Sequence, residues 1–310
     1  MISDILGLHH VTSLASDAVK IDRFSTRDLG LRRIKKTVNF DAPSLYHLYY
    51  GDGRGTPGSV LTYFPNTKLA RGVSGHGEVG ETIFAVPQGS VAFWQDRLTR
   101  RGVADVARDH CFGEERLVFG GPDGERFALV ERAAEGRRPW GGEEIAEING
   151  ILGLDDARLR VSDIGPAAEL LEFMGYQRGA DDGALTRFVR AGGNPASCVT
   201  VQVLRDAPQA KQGAGSVHHL AFAVENLSAL ERVRRALQGS GQEVSGVKDR
   251  DYFQSIYFRT SFGILFEIAT NEPGFTRDEP LEHLGEALQV PEQHRAKRAD
   301  IEKTLPSLEG

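Results

Sequence analysis

The sequence predicts an α+β protein built from four copies of one βαβββ module. The same order of strand, helix and three strands recurs four times, and each copy carries its own helix start and glycine stop. Two of the four opening strands also begin with a histidine pair.

The opening strands are apolar runs at Leu8 to Leu14, Glu81 to Val86, Ala157 to Val161 and His218 to Val224. A helix of about three turns follows each one. In the first module Ser16 or Asp17 caps a helix that turns Ile21 and Phe24 inward and stops at Gly30. The second starts at Ser90, spaces Val91, Trp94 and Leu98 along one face, and stops at Gly102. Asp163 opens the third, with Pro166 early in the helix where a missing amide costs nothing, and Gly175 ends it. Asn226 or Ser228 leads into Leu230, Val233 and Leu237 of the fourth, followed by Gly239. Turn residues mark the last hairpin of each module: GTPG at Gly55 to Gly58, GGPDG at Gly120 to Gly124, AGGN at Ala191 to Asn194 and TSFG at Thr260 to Gly263.

Modules one and two occupy residues 1–135, and modules three and four occupy 150–272. The charged, Gly- and Pro-containing segment 136–149 reads as a linker. Residues 273–310 form a charged tail with a helix expected from Pro291 to Leu305.

At 310 residues and a net charge of −6, the chain can bury a sizeable core and lacks the basic character of a general nucleic-acid binder. Cys111 and Cys198 have no CxxC spacing and make no disulfide framework. No apolar run is long enough to span a bilayer, and Met1 to Leu8 does not read as a signal peptide, so a cytoplasmic protein without membrane partners is expected.

Modules one and four repeat Leu8-His9-His10-Val11-Thr12 as Val217-His218-His219-Leu220-Ala221. Neighbouring strand residues face opposite ways, so one histidine of each pair should point at a shared metal. A carboxylate within the apolar run of a last strand, Glu267, is expensive to bury unless it is paired or bound to metal. Thr62 stands at the equivalent place in module one. Two histidines and one carboxylate leave coordination positions open, the donor set of non-haem Fe(II) oxygen-activating sites. His47, His76, His110, His283 and His294 fall outside this register and read as surface or structural residues. The middle modules put Glu81, Ala128 and Asp156 at the corresponding positions, so their half reads as structural. Gly51-Asp52-Gly53-Arg54-Gly55 lies between strands and is no phosphate-binding loop.

These motifs resemble the vicinal oxygen chelate, or glyoxalase-like, superfamily, in which βαβββ modules pair into two domains with curved eight-stranded sheets around a cleft. Alignment with its pattern selects His10 and His219 from the two pairs. Longer stretches resemble its hydroquinone ring-cleaving dioxygenases: LHHVT from Leu8, YHLYYGDGRGTPGSVLTYFP from Tyr46, VHHLAFAV from Val217, RDYFQSIYFRTSFGILFE from Arg250 and GFTRDE from Gly274. The resemblance implies a metal at His10, His219 and Glu267, Fe(II) or alternatively Mn(II), with a small aromatic substrate and O2 as partners. It also implies that His218, Arg250, Tyr257 and Thr12 lie near the substrate, with His218 or Tyr257 as base or hydrogen-bond partner and Arg250 stabilising negative charge. Asp251 stands where that pattern often has Gly, and Phe258 replaces a smaller residue. Homo-oligomerisation stays open. The alternatives are a glyoxalase-type lyase or isomerase, a catechol extradiol dioxygenase, and a metal-free protein that binds aromatic compounds.

Overall fold

The computed structural model describes residues 1–141 and 144–308; Gly142 and Glu143 of the expected linker, and Glu309 and Gly310 of the tail, lie outside them. Module one contains β1 (Leu8–Ala15), α1 (Ala18–Arg23), β2 (Arg32–Val38), β3 (Tyr46–Gly51) and β4 (Val60–Pro65). Module two contains β5 (Glu78–Pro87), α2 (Val91–Arg100), β6 (Ala104–Cys111), β7 (Glu114–Gly120) and β8 (Arg126–Arg132). Module three contains β9 (Gly153–Val161), α3 (Gly165–Phe173), β10 (Gln177–Asp182), β11 (Leu185–Val189) and β12 (Cys198–Val203). Module four contains β13 (Val217–Val224), α4 (Leu227–Gly239), β14 (Lys248–Asp249), β15 (Phe253–Arg259) and β16 (Leu265–Pro273).

Every module has the same topology. Its first strand pairs in parallel with its last, so the chain must cross to the far edge of the module before returning, and the helix makes that crossing. Trp94, Leu98, Leu171, Leu230, Val233 and Leu237 point from these helices into the main core. Asp17 and Asn226 cap α1 and α4 through their side chains. Ser90 makes no cap bond; Glu131 accepts from the Val91 amide at 3.0 Å in its place. The stop of α4 also moves: Gly239 is its last residue, and Gly241 takes the left-handed conformation at φ +87°.

The modules form two curled eight-stranded sheets, one in the order β14-β15-β16-β13-β1-β4-β3-β2 and the other β10-β11-β12-β9-β5-β8-β7-β6. Module one therefore shares a sheet with module four, and module two with module three. The linker at 136–149 separates the modules in sequence, while the hydrogen-bonded sheets join them across it. Connections 66–77 and 204–216 carry the chain between sheets side by side, bridged at Arg71–Ala214 and His76–Gln209.

The tail packs against module one. Fully buried Lys35 is held by Asp278 at 2.6 Å and by Glu279, beneath the Tyr252 ring at 4.7 Å. Phe275 fills a small core with Ile34, Tyr49, Tyr252 and Phe253. The expected tail helix is split into a 3-10 stretch, Glu292–Lys297, and α5 (Arg298–Thr304), whose buried residue is Ile301. Among the described residues no helix is long and apolar enough to cross a membrane.

Candidate metal centre and its cavity

The candidate metal site lies where β1 and β13 run antiparallel at the middle of the first sheet. Regular alternation would send the two histidines of each pair to opposite faces, but both pairs sit at β-bulges. Pairing shifts between Leu8 and His10, leaving His9 as the extra residue, and again between Thr12 and Ser13, leaving His218 as the extra residue. The rings of each pair consequently stay together: His9 and His10 with centroids 5.0 Å apart, His218 and His219 with centroids 5.1 Å apart.

His10 Nε2 and His219 Nε2 lie 3.3 Å apart, and each faces Glu267 Oε2, at 3.3 and 2.8 Å. One ligand atom from each residue falls within 4.8 Å of the others, and all three residues are buried. A hydrogen bond fixes the tautomer behind His10. Burial and the neighbouring His10 ring hold His9 down at about 3, so it is neutral at physiological pH. His9 Nε2 donates to the Thr270 carbonyl at 3.2 Å, which leaves Nδ1 to accept from His10 Nδ1 at 2.9 Å. His10 Nε2 is thereby left with a bare lone pair. On the other side His218, lowered to about 4 by burial and by His219, faces His219 Nδ1 at 2.8 Å. With His219 Nδ1 as donor, His219 Nε2 is also bare and the proton of His218 sits on its Nε2, in a ring that lines the cavity.

Three lone-pair atoms within hydrogen-bond distance repel unless a cation lies among them. Glu267 Oε2, in a fully buried residue, has no aligned hydrogen-bond donor. Burial opposes its ionisation; a proton or metal charge shared with the His10 and His219 rings outweighs burial and keeps the carboxyl well below its usual range. The donor set thus fits a divalent metal of the kind bound by nitrogen and oxygen. The other oxygen, Oε1, accepts from the Tyr257 hydroxyl at 2.9 Å. Burial and the Glu267 charge raise Tyr257 well above the usual phenol value. Arg250 Nε donates to the Tyr257 oxygen at 3.3 Å, and its guanidinium lies over the rings of Phe40 and Tyr257.

His10, His219, Glu267, His218, Arg250 and Tyr257 all line one cavity of about 480 Å³. Thr12 does not. It is buried beneath the site, with its hydroxyl 2.9 Å from that of Thr62, and is better read as a support than as a substrate contact. His47, set aside in the sequence as surface or structural, belongs to the cavity wall. It is buried and lowered well below its usual range by burial, with Nε2 2.9 Å from the Thr62 hydroxyl and Nδ1 2.9 Å from the Tyr49 hydroxyl. Register explains both. Thr62 is opposite Thr12 and Tyr49, just as Glu267 is opposite Ala221 and Tyr257, so Thr62–Tyr49 is the module-one counterpart of Glu267–Tyr257. The alternation in Tyr46 to Tyr50 was the available sequence signal, because it puts His47 and Tyr49 on one face. Asp251 adopts φ +64°, a left-handed backbone that accounts for the Gly common there.

No protein-family model matches the chain. It is 37% identical over 306 residues to MhqO of Bacillus subtilis (strain 168), provisionally named a ring-cleaving dioxygenase, covering 98% of this chain and 97% of that one. It is 31% identical over 310 residues to the chlorohydroquinone/hydroquinone 1,2-dioxygenase of Sphingobium indicum, covering 96% and 95%. A Bacillus subtilis crystal structure, provisionally named a dioxygenase, aligns with TM-score 0.94 at 36% identity over 98% of this chain and 97% of that one. Glyoxalase I of Zea mays aligns with TM-score 0.63 at 14% identity over 86% and 92%, which is a likeness of fold. The chain therefore belongs to the ring-cleaving dioxygenases, enzymes built here on the glyoxalase-like, vicinal oxygen chelate fold.

Proposed function

We propose that the protein is an Fe(II)-dependent dioxygenase that opens the ring of hydroquinone-type, para-diol aromatics. The observation that carries this reading is the His10–His219–Glu267 cluster with Thr62, a poor ligand, at the register position equivalent to Glu267. A glyoxalase-type lyase would more naturally use a fourth strong ligand there. Fe(II), when bound, supplies the one-electron chemistry that lets O2 react with a closed-shell ring.

The remaining work falls to the chain's own groups. His218 is neutral with its proton on Nε2, in a ring that lines the cavity, so it acts as a hydrogen-bond donor to an oxygen of the reactants. Tyr257 spends its proton on Glu267 and orients that carboxylate, which makes it a positioning residue, the hydrogen-bond partner and not the base of the two roles the resemblance left open. Arg250, at the cavity wall beside Tyr257, supplies positive charge where a ring oxygen becomes anionic. Phe253, 5.3 Å from the His10 ring, and Phe64, 5.6 Å from the His218 ring, exclude water from the two histidine pairs.

The test is oxygen uptake by anaerobically prepared protein loaded with Fe(II) or Mn(II), given methylhydroquinone or catechol, with a His219→Ala variant. Uptake with methylhydroquinone and Fe(II), a ring-opened product spectrum, and loss in the variant are expected. Uptake with catechol alone would overturn the para-diol assignment, and equal or better turnover with Mn(II) would overturn the choice of metal.

A further inference from the structure

The cavity is larger and longer than a hydroquinone requires. A dry cavity of about 150 Å³ is enough to hold benzene, whereas this one measures about 480 Å³. Its wall runs along β1 from His10 to Leu14, roughly 13 Å at strand spacing. On the neighbouring strand, Phe64 is in register with Leu14, and Leu69 continues the wall beyond the strand end. Leu45 and Leu265 also face the cavity. Leu14, Leu45, Leu69 and Leu265 all remain partly exposed. Away from the metal end the polar lining residues are Asn39, Asp41, Asn66 and Lys248, while Leu14, Leu45, Phe64, Leu69 and Leu265 supply the apolar wall.

Apolar side chains facing a cavity of this length gain most from an apolar occupant, since burying hydrocarbon removes it from water at both surfaces. We infer that the cavity has an apolar arm between Phe64 and Leu69, and that the substrate is a hydroquinone bearing a hydrocarbon substituent of several carbons. This rests on the para-diol reading above and adds the class of ring substituent. The diol end stays with the histidines, Arg250 and Glu267, and the chain lies along Leu14 and Leu69 toward the rim. Each methylene that enters the arm raises affinity by up to roughly fourfold.

Two series test it. The first is kcat/KM of the Fe(II)-loaded protein for methyl-, propyl- and pentylhydroquinone. The second is the affinity of the metal-free protein for 4-methyl-, 4-propyl- and 4-pentylphenol, measured by calorimetry. Both should rise by about tenfold or more from methyl to pentyl, and both slopes should flatten in Leu14→Asn or Leu69→Asn. The two variants sit on separate segments, so one that fails to fold leaves the other to report. A flat or falling pair of series overturns the arm while turnover of methylhydroquinone upholds the diol reading. Slopes that persist in both variants overturn the placement of the arm. A rising phenol series with no oxygen uptake from any hydroquinone upholds an apolar arm and overturns the diol as substrate.

Discussion

In the sheet made by modules one and four, Glu267 is fully buried, and its Oε2 faces two imidazole nitrogens without an aligned donor. In the sheet made by modules two and three, Glu81 is almost as deeply buried but is clamped by Arg116 at 2.8 Å and Arg158 at 3.1 Å. Arg116 also holds Asp109 through two bonds, and Arg132 joins Glu114 to Asp155. Asp156 spends both oxygens on Thr200. The same topology thus satisfies buried acids in two ways. One sheet supplies fixed cations from its own side chains, and the other gathers a donor set that suits a bound cation. Duplication of the module kept the frame, and the identity of a few inward residues decided which copy could host chemistry.

The largest effect expected from breaking this contrast is on the open site. Glu267→Gln removes the negative donor, so bound iron and oxygen uptake should fall together, on the order of a thousandfold or about 4 kcal/mol in the barrier. Thermal unfolding of the metal-free variant should change little or rise, because repulsion among three lone pairs is relieved. Unchanged iron content would remove Glu267 from the donor set.

Glu81→Ala attacks the closed site and should do the reverse. It leaves two buried guanidiniums without their shared partner, at a cost of about 3–5 kcal/mol in urea unfolding. Iron content and uptake per folded molecule should persist. If activity were lost while stability held, the second sheet would be part of the chemistry.

Between the sheets, Asp123 bonds the Ser16 amide and hydroxyl just beyond β1, and its own amide donates to Glu125. Glu125 Oε1 is buried without a partner, and burial pushes this carboxyl up to about 7. A raised folded-state value means that the stabilising contribution is complete below the unfolded value and is lost as pH rises through about 7. Glu125 should therefore contribute a fall in stability from pH 5 to pH 8, set against the rise that the lowered His9 and His218 contribute through the histidine range. Glu125→Gln should abolish that fall and be more stable at pH 8 by about 3 kcal/mol, measured by denaturant midpoints. A parallel pH dependence in both proteins would exclude Glu125 as its source.

The repeat and the strand and helix order were legible because each rests on local pattern, period-two alternation and glycine stops, and the clustering of His10, His219 and Glu267 was reached from the matched histidine pairs together with the family resemblance. The partnership of module one with module four was legible too, through the histidine pairs that only those two modules carry, although the linker at 136–149 suggested a division into sequential halves. The fate of the second histidine in each pair was hidden. Alternation separates His9 from His10, and only the bulge created by sheet pairing brings the rings together. His47 was passed over because it matches no ligand position; its place comes from Thr62 being the counterpart of Glu267. Thr12 errs the other way, since a position near the ligands in sequence faces Thr62 beneath the cavity.

That last pairing allows a finer test within the first sheet. Tyr257 and Tyr49 occupy equivalent places, one opposite Glu267 and the other opposite Thr62. If Tyr257 serves to hold the carboxylate, Tyr257→Phe frees Oε1 and should weaken iron binding ten- to a hundredfold, about 1.4–2.7 kcal/mol. Tyr49→Phe, whose hydroxyl meets His47 and no carboxylate, should leave iron affinity as it is. A base role for Tyr257 predicts a different pattern: kcat falls while iron affinity stays constant. Iron titration of the two variants, read beside kcat at saturating iron, decides between holding a ligand and moving a proton.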